Sequence, residues 1–150
     1  TTLFYDRYYM VIAVDFDGTI VEHQYPGIGR EKPFAIDTLK KLAKEHHRLI
    51  LWTVREGKLL QEAIDFCKER GLEFYAVNRN YPEEKHPTER KLRAEMWIDD
   101  RNLGGLPDWG TIYQMIQDNL TFNDLINQCT KEYESMSQIG FFRKLFKSNT

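Results

Sequence analysis

Two carboxylates lie close together near the start of the chain. The apolar residues 10–14 run directly into Asp15, and Asp17 follows before Gly18 and Thr19. An uninterrupted apolar run that ends in a turn signal is typical of a strand buried on both faces. Side chains two residues apart on an extended chain point to the same side. Two like charges this close favour a divalent cation with oxygen ligands, although the pattern also fits an ordinary strand-end turn.

Two further apolar runs end in polar side chains that can join this pair. Residues 49–54 contain Thr53, whose hydroxyl can donate a hydrogen bond to a phosphoryl oxygen. Residues 94–100 end in Asp99 and Asp100, and burying unpaired charge is costly, so adjacent acids at this point have few purely structural explanations. Open α/β sheets bind ligands at the carboxyl ends of their strands, which is where these side chains are predicted to lie.

The elements that must position these side chains alternate along the chain. Predominantly apolar segments predict four strands, over residues 10–14, 49–54, 74–77 and 94–100. Apolar residues at helical spacing predict three helices, over residues 33–46, 57–70 and 109–116. Two prolines and many charges disfavour a long helix in residues 80–93. The order predicts an α/β protein with a three-layer, Rossmann-like parallel sheet.

In this order, the motifs resemble those of the haloacid dehalogenase (HAD) superfamily, whose members are mostly Mg²⁺-dependent phosphohydrolases. The run from Asp15 to Thr19 is similar to the first motif, Thr53 to the second, and Asp99-Asp100 to the fourth. The resemblance covers about residues 10–116. It implies that the fourth strand lies beside the first, with Asp99 against Asp15. The intervals where this superfamily inserts a cap domain are short here, so no cap domain is expected.

The resemblance also implies a mechanism and a cofactor. Asp15 is expected to attack phosphorus and form an aspartyl-phosphate, while Asp17 serves as the general acid and then the general base. The expected cofactor is Mg²⁺, held by Asp15, the main-chain carbonyl of Asp17 and Asp99, with support from Asp100. Thr53 and a lysine are expected to bind the phosphoryl oxygens, and Arg55 is a further candidate for substrate binding.

Two assignments stay open at this point. The lysine is assigned to Lys91, which closely precedes the fourth strand, with Lys85 as the alternative; a solvated basic segment would explain either one. Residues 21–30, rich in proline and glycine, are predicted to form a loop at the rim of the site. His23 and Arg30 in that loop are candidates for substrate contact, although a solvated loop is the simpler interpretation.

Length and composition set the remaining expectations. The 150 residues suit one domain, with a core over about 10–116 and a C-terminal helical extension over about 117–150. A packed or frayed terminal helix is favoured over a membrane contact for the basic aromatic residues 141–147. No apolar run approaches the roughly 20 residues of a membrane span. The cysteines, Cys67 and Cys129, share no metal-type spacing and fit a reducing, cytoplasmic setting.

The predicted function is hydrolysis of a phosphomonoester, either a phosphorylated small molecule or an exposed phosphate on a larger substrate. One alternative is a phosphate- and Mg²⁺-binding regulatory module with weak or no turnover. Another is a phosphatase that processes nucleic-acid ends, which an open site would favour. The net charge of −2 argues against a general nucleic-acid binder, since such proteins are usually basic.

Overall fold

The computed structural model describes residues 9–86 and 89–147, with side chains described up to residue 139. The elements in chain order are β1 (Val11–Val14), α1 (Ala35–Lys44), β2 (Arg48–Leu51), α2 (Gly57–Glu69), β3 (Ala76–Val77), β4 (Met96–Ile98), α3 (Trp109–Gln117) and α4 (Phe122–Lys147). The predicted helices and strands all form. The strands are shorter than predicted, because the sequence gives the extent of an apolar run but not how much of it pairs with a neighbour.

The four strands form one parallel sheet in the order β3-β2-β1-β4. The central strand β1 pairs with β2 on one side and β4 on the other, so Val14 lies level with both Leu51 and Ile98. The residues that follow these three positions therefore leave the sheet at the same edge. This confirms the α/β, three-layer, Rossmann-like class and the placement of the fourth strand beside the first.

Helices α1 and α2 cover one face of the sheet. Each connects two parallel neighbouring strands, and right-handed crossovers place both on the same side. The buried positions of α1 include Ile36, Leu39 and Leu42, which recur at helical spacing and turn one stripe toward the core. Beside them, the Tyr113 hydroxyl of α3 donates a hydrogen bond to Glu45 Oε1 at the end of α1.

The other face is covered by the irregular connection between β3 and β4, residues 78–95. Its Leu92 packs against Ala13, Ile50 and Ala76, one residue from each of three adjacent strands. No helix forms in the described part of this connection, as predicted. Glu84 organises it instead, because its carboxylate accepts hydrogen bonds from the backbone and side-chain nitrogens of Asn80 at 2.6 and 3.1 Å.

The chain divides into two compact units, residues 1–113 and 114–150. The predicted single domain with a C-terminal extension stays a prediction. In the second unit, residues 122–147 form the helix α4, and its side chains from Ile126 to Ile139 are exposed. The side chains of the basic aromatic segment 141–147 lie outside the described residues. No folded cap is present among the described residues of the first unit, and none of the described helices is long and apolar enough to cross a membrane.

Candidate functional site

Three carboxylates meet at the carboxyl edge of the sheet. Asp15 follows β1 directly, and Asp99 and Asp100 follow β4. Parallel pairing continues one residue beyond the strands, since the Asp15 N–H donates to the Ile98 carbonyl at 2.9 Å. One oxygen of each carboxylate can be chosen so that all three lie within 4.8 Å of one another. The expected neighbourhood of Asp15 and Asp99 is therefore present.

The electrostatics of Asp15 reflect this crowding. Burial raises the pKa of Asp15 to about 6, and the negative charges of Asp99 and Asp100 add to the rise. Hydrogen bonds from the Phe16 backbone and the Thr19 hydroxyl oppose it. Carboxylate oxygens are the ligands that Mg²⁺ prefers, and a divalent cation would relieve the repulsion among three half-buried acids. The donor set thus fits the expected cation.

Thr19 and Gly18 allow the acid that follows β1 and the acids that follow β4 to lie close together. The buried Thr19 hydroxyl donates to Asp15 Oδ2 at 3.2 Å and accepts a hydrogen bond from the Asp100 N–H at 3.0 Å. Gly18 has φ +89°, and a Cβ at this position would collide with the Asp100 carboxylate. A side chain here would be both strained and obstructed, so glycine allows β4 to bring Asp100 against the turn after β1.

Asp17 is not one of the three acids of this cluster, and its carboxylate pairs with Arg55. The Arg55 Nε–H donates to Asp17 Oδ2 and an Nη2–H donates to Asp17 Oδ1, both at 2.7 Å. Both oxygens of Asp17 thus accept from one guanidinium, which leaves its carboxylate engaged rather than available to a cation. Arg55 is fully buried and is not among the residues that line the cleft described below. Its contact with substrate stays a prediction.

Thr53 is oriented by its neighbours at the end of β2. Its backbone N–H donates to the Asn78 side-chain oxygen at 2.8 Å, and its hydroxyl oxygen accepts the Arg55 N–H at 3.2 Å. Because the hydroxyl accepts this bond, its own proton stays available to donate to a ligand. The predicted role of Thr53 is compatible with this geometry, and Asn78 is a supporting residue that the sequence did not reveal.

An open cleft of about 460 Å³ lies over these groups. Its lining includes the predicted site residues Asp15, Asp17, Thr53 and Asp99. The other lining residues are His23, Tyr25, Trp52, Val54 and Arg101. His23 is therefore at the cleft, as the rim-loop prediction allowed, and Tyr25 of the same loop joins it. Arg101 places a cationic side chain in this lining, and the sequence interpretation did not assign it a role.

The lysines proposed for phosphate binding lie elsewhere. Lys91 is exposed, and its amine lies 5.1 Å from the centre of the Trp97 ring. Trp97 packs on the sheet face that the connection 78–95 covers. Lys85 is exposed, and neither lysine is among the residues that line the cleft. Arg30 is also outside that lining; it forms an exposed ion pair with Glu22 at 2.7 Å. Arg101, by contrast, does line the cleft, and the phosphate-binding role of Lys91 stays a prediction.

The fold and site define a three-layer α/β protein with an acidic cluster at the carboxyl edge of its sheet and no cap among the residues that the structure describes. A solved structure of a conserved protein from Bacteroides thetaiotaomicron is similar, with a TM-score of 0.76 and 64% sequence identity. The similarity covers 79% of this chain and 98% of that one. The chain belongs to the same family as that protein. No protein-family model matches the chain, and no curated protein matches it.

Proposed function

We propose that the protein is a Mg²⁺-dependent phosphohydrolase of the HAD type that cleaves phosphomonoesters in the 460 Å³ cleft. The observation that carries the proposal is the cluster of Asp15, Asp99 and Asp100 at the ends of two adjacent parallel strands. Thr53 at the next strand end supports it, because a phosphoryl group near Asp15 would need a donor from the β2 side of the site.

Asp15, Asp99 and Asp100 would hold the cation. Bound there, Mg²⁺ would supply positive charge that offsets the phosphoryl oxygens and the acids themselves. The chain supports this arrangement through Thr19, which is hydrogen-bonded to both Asp15 and Asp100 and therefore fixes the spacing between the two strand ends.

Asp15 is the nucleophile in this proposal. An oxygen of its carboxylate forms a bond to phosphorus while the bond between phosphorus and the leaving oxygen breaks, which gives an aspartyl-phosphate. Water then cleaves that acyl phosphate and restores the carboxylate. With a pKa of about 6, Asp15 is mostly ionised above neutral pH and available for attack.

Asp17 moves the protons in both steps. It donates a proton to the leaving oxygen in the first step and takes one from the attacking water in the second. Asp17 lines the cleft together with Asp15, so its carboxyl group is near the reacting centre. The Arg55 guanidinium holds it in one orientation by bonding to both of its oxygens. To act as the acid, Asp17 must first take up a proton from solvent at the cleft, which requires one of these hydrogen bonds to break.

Thr53 and Arg101 bind the phosphoryl oxygens. The Thr53 hydroxyl proton is free to donate, and Arg101 contributes positive charge at the cleft. A charged donor stabilises developing negative charge more than a neutral one does. Lys91 has no part in the proposal, because its amine lies over the Trp97 ring and the residue is not among those that line the cleft.

The walls of the cleft favour an organic group of some size next to the phosphate. Tyr25 and Trp52 are aromatic, and Val54 is 80% exposed within the same lining. Because the described residues form no cap, a bulky or aromatic leaving group can occupy this part of the cleft. An aryl phosphate is therefore a suitable first substrate.

The direct test measures release of a coloured phenolate from an aryl phosphate by the purified protein. Turnover is expected with Mg²⁺ and should disappear with a chelator. Asp15→Asn is the control, because it keeps the size of the side chain and removes the nucleophile. If the unaltered protein is no faster than Asp15→Asn with any divalent cation, the proposed activity is wrong.

The second candidate is a phosphate- and Mg²⁺-binding module that does not turn over. The observation in its favour is the Asp17–Arg55 pair, in which both carboxylate oxygens are already engaged. Calorimetric titration with Mg²⁺ followed by inorganic phosphate would support this candidate if both bind while aryl phosphate stays intact.

A further inference from the structure

Arg55 is a charged side chain with no exposure to solvent. Its guanidinium lies between two aromatic rings, 5.2 Å from the centre of Phe16 and 5.3 Å from the centre of Tyr25. Its bidentate bonds to Asp17 satisfy one side of the guanidinium fork. A buried cation must be matched by acceptors on its other side as well, because each unmade bond is costly.

Those other acceptors come from the loop that borders the cleft, residues 22–30. The Arg55 Nη1–H donates to the Pro26 carbonyl at 3.0 Å, and an Nη2–H donates to the Gly27 carbonyl at 2.6 Å. One guanidinium therefore bonds to the side chain of Asp17 and to the backbone of a separate segment. His23 and Tyr25, which line the cleft, belong to the segment that it holds.

The two ends of the same loop are held differently. The Glu22 N–H donates to the Arg30 carbonyl at 2.8 Å, and the Arg30 and Glu22 side chains form an exposed ion pair. A Cβ at Gly29 would collide with the Glu22 carbonyl, so the ends of the loop are packed closely together. The closed ends fix where the loop starts and stops, and Arg55 fixes its middle.

We propose that Arg55 is a positioning residue that holds the Asp17 carboxylate and the loop 22–30 as one unit. A ligand that moves the loop must then also move Asp17. In the same way, a displacement of Asp17 must change the positions of His23 and Tyr25. A buried ion pair does not by itself add much stability, because removing both charges from water is costly. The role that we assign to Arg55 is therefore to connect Asp17 with the loop, rather than to stabilise the fold. The consequence for catalysis rests on the proposed function, whereas the linkage itself does not.

Arg55→Lys tests the linkage, with Arg30→Lys as the matched control in the same loop. Lysine keeps the charge but lacks the planar fork, so it cannot reach Asp17 and two carbonyls together. Amide hydrogen exchange of peptides from residues 21–30 is expected to rise roughly 10- to 100-fold in Arg55→Lys, the value of one lost charged hydrogen bond. Peptides from β1 and β2 should stay protected. Arg30→Lys should leave both sets unchanged.

A second variant keeps the test decisive if Arg55→Lys does not fold. Asp17→Asn is nearly isosteric and replaces one acceptor oxygen with a donor, so it should also accelerate exchange in residues 21–30. The linkage is overturned if the folded variants leave loop exchange at the level of the unaltered protein. It is also overturned if exchange rises equally in the strands, because that would be general destabilisation.

Turnover of aryl phosphate separates this proposal from the proposed function. Measured well below the melting temperatures of all variants, kcat should fall in Arg55→Lys by more than KM changes. Added to Asp17→Asn, the same substitution should lower kcat little further, because both changes break one linkage. Additive losses would overturn positioning through Asp17. If the unaltered protein shows no turnover while loop exchange responds as described, the phosphatase proposal fails and the linkage stands.

Discussion

The two ends of β1 differ in what their titratable side chains contact: backbone N–H groups at the amino end, and other carboxylates at the carboxyl end. At the amino end, the Met10 N–H donates to His47 Nδ1 at 3.2 Å, and the Val11 N–H donates to Glu95 Oε2 at 2.6 Å. Each side chain there supplies one acceptor to one backbone donor. At the carboxyl end, the carboxylate of Asp15 lies close to those of Asp99 and Asp100, so like charges are neighbours.

The difference separates a structural use of polar side chains from a chemical one. The amino end satisfies its own hydrogen bonds within the chain and has no need of a ligand. The carboxyl end gathers like charges and raises the pKa of Asp15, an arrangement that a bound cation would relieve. Substitutions at the two ends should therefore differ in kind, with losses of activity at the carboxyl end and changes of stability at the amino end.

The largest effect is expected from Asp17→Asn at the carboxyl end. Loss of a general acid and base should lower kcat for an aryl phosphate by roughly 10²–10⁴-fold. The melting temperature should fall as well, because the amide places a donor where the buried Arg55 guanidinium needs a second acceptor. The kinetics are therefore compared well below the melting temperature of the variant. Steady-state kinetics with Mg²⁺ provide the measurement, and an unchanged kcat would remove Asp17 from the mechanism.

A smaller loss is expected from Arg101→Ala. Hydrogen bonds to charged groups contribute about 1.5–3 kcal/mol, so kcat/KM should fall roughly 10- to 100-fold. Lys91→Ala and Lys85→Ala are the controls, because both lysines are exposed and outside the cleft lining. Each should change stability by no more than about 0.5 kcal/mol and leave activity nearly intact. A large loss of activity in Lys91→Ala alone would mean that Lys91, in the connection 78–95, contacts the phosphate instead of Arg101.

Gly18→Ala should disturb the junction between the two strand ends. Left-handed backbone costs a non-glycine residue about 1–3 kcal/mol, and here the added Cβ also meets the Asp100 carboxylate. Gly105→Ala is the matched control, because Gly105 has φ +80° with open space around its Cβ position. Thermal denaturation should show the larger loss for Gly18→Ala, together with a weaker stabilisation by Mg²⁺. Equal behaviour of the two variants would mean that Asp100 is not crowded.

The smallest effect is a pH dependence at the amino end. Burial lowers the pKa of His47, and the charge of Glu45 opposes this only in part. Below the ordinary pKa of about 6.5, the unfolded chain takes up the proton first, so stability falls as the pH drops toward the folded pKa. Because His47 is only partly buried, the loss of stability is expected to be small.

His47→Asn should remove this pH dependence, because an amide oxygen can accept the Met10 N–H without titrating. His46→Asn is the control and should retain it, since His46 contacts the Tyr9 ring instead. Chemical denaturation between pH 7.5 and pH 5.5 makes the comparison. Because Asp15, with a pKa of about 6, titrates in the same range, the quantity compared is the difference in slope between the two variants. Equal slopes in His47→Asn and His46→Asn would assign the titration to another group.

Much of the fold was predictable because its strands are nearly continuous apolar runs and its helices carry regular apolar stripes. The limits of β3 were not, since this edge strand pairs with β2 over Ala76 and Val77 alone. The path of the connection 78–95 was not predictable either. It depends on contacts such as those of Glu84 with Asn80, which no local pattern encodes.

Within the site, the residues directly after buried strands could be placed from sequence, because parallel strands end at a common edge. Arg101 follows Asp99 and Asp100 immediately, so its place at the same edge of the sheet is also encoded in the sequence. The orientation of the Arg55 side chain could not be predicted from sequence. It depends on the path of the loop 22–30, which places two backbone carbonyls beside the guanidinium. Lys91 was assigned by proximity in sequence, which does not specify the face of the sheet.

The strand order β3-β2-β1-β4 has a consequence for how the chain folds during synthesis. Strands β1, β2 and β3 can pair one after another as they are made, but β4 must cross from one edge of the sheet to the other. Thr19 and Asp100, which meet in the finished protein, are 81 positions apart. Contacts this distant in sequence form slowly, so one edge of β1 stays unpaired until β4 has been made. An unpaired edge attracts other strands, so nascent or truncated chains that end before β4 are expected to be the most prone to aggregation.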